Sequence, residues 1–242
     1  MLKPVVFAGP SIHGLPADFA RGLDVRPPAA RGDILRAAGE GRTVIGLIDG
    51  YFNSTPSVWH KEILFALQAG CSLFGAASMG ALRAAECFAF GMVGVGAIFE
   101  DYQAGKRLSD ADVAVSHAPA ELGYCPLSLA LVDVEATLSA ALQRHFICES
   151  IHDQLLNAAT GLHFTRRTWS QVLSDAGLSE NDRARFLDSL PLFVQSVKRQ
   201  DAEMLLRKLK ENFEPEIYDG HNSWKLQNTL FLKSLEKDVL GR

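Results

Sequence analysis

The chain of 242 residues has only four cysteines, Cys71, Cys87, Cys125 and Cys148, and no CxxC pair among them. That argues against a disulfide-stapled scaffold or a dithiol redox centre and suits a reduced compartment. An excess of positive charge is also missing, since 24 Lys and Arg stand against 28 Asp and Glu for a net charge of −4. Wrapping around nucleic acid or adsorbing to an acidic membrane is therefore not expected. No apolar run approaches the roughly 18 residues of a membrane span, and the opening MLKPVVFAGPSIHG is broken too soon for a signal peptide. There is no P-loop, no His/Cys cluster at zinc spacing, no internal repeat and no low-complexity segment. The expectation is a cytoplasmic protein with no cofactor, nucleotide or metal.

What the chain does have is apolar content, at 48% of its residues, enough for one sizeable core and an extension. Short apolar runs bounded by glycine, Val5–Gly9, Thr43–Asp49 and Cys71–Ala77, read as buried parallel strands. Asp33–Gly39 reads as a short helix, and Thr55–Gly70 as a longer one with Pro56 in its first turn. Another helix follows Ser78, Val113–His117 is a candidate strand, and Leu127–Arg144 is a long helical pattern. From Phe146 onward only helices are expected. The fold class is α/β, a mostly parallel sheet with flanking helices followed by an all-helical C-terminal extension, divided into 1–145 and 146–242. In the extension, SVKRQDAEMLLRKLKENF and NSWKLQNTLFLKSLEKDVL are amphipathic, and pack on their own protein or dock a partner.

Three strand ends, VFAGPS, LIDGYF and FGAASMG, would gather at the carboxyl edge of the sheet, where open α/β sheets bind ligands. Ser78 is flanked by Ala76 and Gly80, a relaxed form of the G-x-S-x-G elbow in which small neighbours permit a sharp turn. The helix beginning near Met79 would aim its free N–H groups beside the hydroxyl, suiting an oxyanion. Serine before a helix is also an ordinary N-cap, so both readings stand.

A nucleophile needs a base. Lys61 has Val58, Leu64 and Phe65 at helical spacing, which would lay its ammonium along an apolar face and ease release of its proton. The alternative is a lysine that snorkels to water and pairs with Glu62 or Gln68. His60 points about 100° away around the helix. Further polar residues crowd the same edge: Ser11 after Gly9, Asp49 and Tyr51 around Gly50, and Arg83 with Glu86. The last two have the spacing of an intrahelical ion pair as well as the chance of substrate contact. The glycines of GMVGVGAIFEDYQAG follow a helix and lack the G-x-G-x-x-G order, a poor nucleotide-loop signal.

The blocks GLIDGYF, PSVWHKEIL, FGAASMGALRAAE, FGMVGVGAIFEDY and DADVAVSHAP, in that order, together resemble the TfuA-like family over about residues 3–145. The resemblance implies work beside an ATP-dependent YcaO-domain enzyme that installs sulfur in a peptide backbone amide. It implies hydrolysis of the C-terminal thiocarboxylate of a ubiquitin-like (ThiS-type) sulfur carrier to release sulfide, by a serine-lysine pair. Carried onto this sequence, that pair is Ser78 and Lys61. The helix N–H groups of Met79 and Gly80 are the expected oxyanion donors, and a carrier tail could run along the Gly9, Gly50 and Gly75 loops. Two other readings are a non-catalytic adaptor that delivers carrier or precursor peptide to the YcaO enzyme, and a serine hydrolase using Ser78 with His117 and an acid.

Overall fold

The computed structural model describes residues 2–52, 55–211 and 224–241. The chain divides into two compact units, Met1–Leu108 with Arg199–Arg242, and Ser109–Lys198. The division expected near residue 145 falls inside the second unit.

The first unit is built on five strands, β1 (Val5–Phe7), β2 (Asp24–Arg26), β3 (Val44–Leu47), β4 (Ser72–Ala76) and β5 (Val93–Val95). Every pairing is parallel, in the order β2-β1-β3-β4-β5. Register runs Val5 to Ile45, Ile45 to Leu73, and Phe74 to Val93. Parallel neighbours need crossovers, supplied here by α1 (Asp33–Gly39), α2 (His60–Gln68) and α3 (Met79–Cys87), with α4 (Ala97–Gln103) following β5. The central strands are apolar throughout because both faces are covered. On one face Ala202, Leu205, Leu206 and Leu209 pack on Val6, Ile48, Phe74 and Ala76.

The second unit is helical, with α5 (Leu131–Gln143), α6 (Glu149–Gly161), α7 (Trp169–Asp175) and α8 (Glu180–Ser189) around Val134, Leu138, Leu155, Val172 and Phe193. Buried Arg167 fastens it by donating to the carbonyls of Ala159, Leu129 and Leu162. Two more helices, α9 (Val197–Lys208) and α10 (Leu230–Leu240), complete the chain, so no strand follows Phe146 among the described residues. Much of ENF in the first amphipathic segment and the opening NS of the second lie outside the described residues. No helix among the described residues is long and apolar enough to cross a membrane.

Three expectations differ. Val113–His117 is not a strand; it holds a 3-10 turn's end and a single antiparallel bridge from His117 to Pro126. The second helix starts at His60, not Thr55, because the preceding stretch is tied elsewhere: Pro56 O accepts from Arg31 N, and Trp59 N–H goes to the Glu62 carboxylate. The helix expected from Leu127 begins at Leu131, since Leu127 and Leu129 donate their N–H groups to Ser116 and Arg167.

Candidate functional site

The strand order places β1 and β3 side by side while the chain runs outward from them in opposite directions. The carboxyl ends of these two strands therefore form the topological switch point, where the crevice of an open α/β sheet lies. Asp49, just past β3, closes the floor of that crevice. Its carboxylate, almost fully buried, accepts from Gly9 N (2.8 Å), Ser11 N (3.0 Å) and Ser11 Oγ (2.7 Å). The loop after β1 is thus held to the loop after β3. Gly50 and Tyr51 continue along Ala29, whose carbonyl accepts from Tyr51 N and whose N–H donates to Asp49 O.

Ser78 stands one strand over, where β4 passes into α3. The turn is a γ-turn: Ser78 N donates to Ala76 O at 2.8 Å, with Ala77 between them at φ 67°. A non-glycine residue with positive φ is costly, by about 1–3 kcal/mol, and such residues gather at functional sites. The start of α3 is pressed directly on the sheet. A Cβ at Gly80 would lie 1.8 Å from Leu47 O, and one at Gly75 would lie 2.1 Å from Gly80 O, so both positions need glycine. That close approach is the physical content of the small-residue elbow seen in the sequence.

The Ser78 side chain does not cap its helix. Its carbonyl accepts from Ala81 N, and its hydroxyl, on a residue only 9% exposed, makes no hydrogen bond among the described residues. The Met79 N–H likewise has no partner among them. Gly80 corrects an expectation: its N–H donates to Ile48 O at 3.1 Å, which secures the helix to β3 and removes that group as an oxyanion donor.

Lys61 is half-buried on α2, and its Nζ donates to Gln227 O at 3.4 Å; no hydrogen bond joins it to Ser78. The pairing with Glu62 or Gln68 does not form either. Glu62 is turned fully inward, accepting from Trp59 N (2.8 Å), Gly32 N (3.0 Å) and Ile34 N (3.1 Å). Burial pushes its carboxyl above the usual range, against the pull of those N–H groups.

Arg83 and Glu86 form the expected ion pair on α3, at 2.5 Å, and His60 joins it with Nε2 2.8 Å from the same carboxylate oxygen. Desolvation would raise the Glu86 carboxyl, but the His60 and Arg83 hydrogen bonds outweigh it and hold it below the usual range. Arg83 also donates to Val58 O. These three residues join α2 to α3. His117, in the second unit, has Nδ1 2.8 Å from Ala118 O and its ring edge-on to Tyr124.

Sequence reasoning missed two carboxylates. Glu62 sits at the N3 position of its helix, a capping-box place, but Trp59 at the N-cap gave no signal. Asp201, nearly fully buried, accepts from Ala97 N (3.0 Å) and Ile98 N (2.9 Å), closing the start of α4. Of the glycines before α4, Gly91 follows a helical turn, as expected, Gly94 lies within β5 and Gly96 stands between β5 and α4, where the place an anion would take at the helix end is held by the Asp201 side chain.

The fold and this junction define a class: a parallel α/β domain with an uncapped serine at a strained strand-to-helix turn beside the switch point. The family model described as TfuA-like protein matches residues 49–168, and the chain belongs to the TfuA-like family. That places it in the setting of YcaO-type thioamidation. No curated protein matches the chain.

Proposed function

We propose that this protein releases sulfide for peptide backbone thioamidation by hydrolysing the C-terminal thiocarboxylate of a ubiquitin-like sulfur carrier, with Ser78 as nucleophile. The observation that carries the reading is the Ser78 hydroxyl itself, uncapped, unpaired among the described residues and set at a positive-φ turn. Its oxygen attacks the thiocarboxylate carbon, and the oxyanion that forms is met by the Met79 N–H and the positive end of α3. The C–S bond breaks, hydrosulfide leaves, and water cleaves the acyl ester to regenerate Ser78 and free the carrier. Lys61 is the base in this scheme. It is held by a single long bond to Gln227 O and must leave it to take the Ser78 proton. The loops of Gly9 to Ser11 and Asp49 to Tyr51, bound together by Asp49, form the walls along which the carrier's tail lies. The YcaO-domain enzyme is the proposed recipient of the sulfide.

The test is sulfide release from a thiocarboxylated carrier by Ser78→Ala and Lys61→Ala proteins. Loss in the serine variant is expected, with a drop of roughly 100-fold or more in the lysine variant, the usual range for a proton-transfer group. Undiminished release in both removes the proposal. A second reading, an adaptor that delivers carrier or precursor peptide to the YcaO enzyme without chemistry, is favoured by one contact, the Lys61 bond to Gln227 O in place of Ser78. Under that reading the Ser78→Ala protein still supports thioamidation by the YcaO enzyme in a reconstituted reaction.

A further inference from the structure

Arg31 differs from the other arginines of the first unit. Each of the others that is described, from Arg21 to Arg207, reaches a carboxylate or a backbone carbonyl. The exposed Arg31 side chain makes no hydrogen bond or ion pair among the described residues. It rests instead on an aromatic face, with its guanidinium carbon 5.1 Å from the ring centre of Trp59. The acids nearest to it in the fold are engaged elsewhere, Asp33 by Arg36 and Ala30 N, and Glu62 by backbone N–H groups.

The stack is fixed from below. Buried Glu62 accepts from Gly32 N, next to Arg31, and from Trp59 N, so one carboxylate holds the backbone on both sides of the stack. Arg31 N donates to Pro56 O, a further tie between the same two segments. A guanidinium lying on an aromatic ring keeps its N–H edge for a partner, and its planar fork matches a carboxylate. With backbone and aromatic support both fixed, Arg31 gives up little freedom on taking one.

Its place in the fold says whose carboxylate. Ala29, two residues earlier, runs beside the loop after β3, donating to Asp49 O and accepting from Tyr51 N. Gly50 in that loop is wedged between this segment and the start of α3, since a Cβ there would lie 2.4 Å from Met79 Sδ and 3.2 Å from Ala29 O. Arg31 is therefore carried on the carboxyl-edge wall along which the carrier's tail lies in the scheme above. The reacting end of that tail is taken up at Ser78 and Met79, which leaves a carboxylate side chain upstream of it for Arg31.

We propose that Arg31, stacked on Trp59, is a specificity residue that binds an acidic side chain of the substrate polypeptide. The assignment rests on the carrier being that substrate. Calorimetric titration of the full chain with a ThiS-type carrier in its unmodified, carboxylate-ended form tests it. Arg31→Met keeps the stem and removes the fork, and is expected to weaken binding at least about fivefold, the usual threshold for a contributing interface arginine. Arg31→Lys, a charge without the fork, stays weaker than wild type. Amidating the carrier's C-terminus leaves the ratio of wild type to Arg31→Met unchanged. In sulfide release from the thiocarboxylated carrier, Arg31→Met raises KM by a similar factor with kcat changed by less than about twofold, the signature of binding made equally in ground and transition states. The residue is exposed, and a thermal melt checks that both variants are folded. A wild-type chain that binds the carrier but releases no sulfide removes the hydrolysis, and the titration still decides on Arg31. Equal affinities of wild type and Arg31→Met, a lysine variant as tight as wild type, a ratio that collapses with the amidated carrier, or no binding of the carrier at all overturns the assignment.

Discussion

Replacing Glu62 by alanine tests the claim that one buried carboxylate joins two helices of the first unit. The side chain accepts three well-formed hydrogen bonds, from Trp59 at the start of α2 and from Gly32 and Ile34 at the start of α1, with Leu35 N at a marginal 3.5 Å. A buried donor left unsatisfied costs about 1–3 kcal/mol, so three would cost roughly 3 kcal/mol at the low end. Relief from burying a carboxylate offsets part of any larger figure. Urea unfolding followed by circular dichroism should show a loss of about 3 kcal/mol with an unchanged slope. A loss below about 1 kcal/mol would refute the reasoning, because the three N–H groups would then have found other partners at no cost. The pH dependence adds a check. Burial raises the Glu62 carboxyl in the folded state, so between the unfolded value and that raised value the native chain holds the extra proton. Its contribution to stability is therefore largest in acid and declines as pH rises through the folded value. Glu62→Gln removes that slope, and the difference curve between wild type and Glu62→Gln isolates it from the other carboxylates.

Two further outcomes follow from the same geometry. Ser78→Ala should change stability by less than about 0.5 kcal/mol, because its hydroxyl caps nothing, whereas Thr168→Ala, at a true N-cap whose oxygen accepts from Gln171 N, should cost about 1 kcal/mol; equal losses in paired melts would make Ser78 a cap after all. At pH 8, iodoacetamide should label exposed Cys148 on the native protein and spare Cys87, whose thiol burial pushes up to about 12 and so keeps protonated; mass spectrometry of the tryptic peptides reads both, and rapid labelling of Cys87 would contradict its burial.

The sheet's centre was legible because buried parallel strands are continuous apolar runs, and Val5–Phe7, Val44–Leu47 and Ser72–Ala76 are such runs. The edge strands were not. Asp24–Arg26 is one apolar residue between two charges, and Val93–Val95 has glycine at its middle, so neither is long enough to show a period. Their strand state comes from the neighbour they pair with. The serine turn was readable from local chemistry, since only small residues let α3 approach β3 and β4 so closely. The surroundings of Lys61 were not, because its partner lies 166 residues further along the chain. Glu62, between a lysine and an isoleucine, looks like an ordinary solvated acid until the fold brings the start of α1 against it.

The three missed or underrated carboxylates point back to the same place. Around this sheet the chain repeatedly satisfies free backbone N–H groups with a buried acid: Glu62 serves the start of α1, Asp201 the start of α4, and Asp49 the loop after β1. Each of these ends is closed to an outside anion by a side chain of the protein itself. The start of α3 is treated differently. Gly80 is anchored to the backbone of β3, the adjoining serine declines to cap, and no carboxylate approaches Met79 N–H among the described residues. That contrast, a helix start without a carboxylate beside a hydroxyl unpaired among the described residues, is what the proposed oxyanion role of Met79 N–H rests on, and release of sulfide by the Ser78→Ala protein is its test.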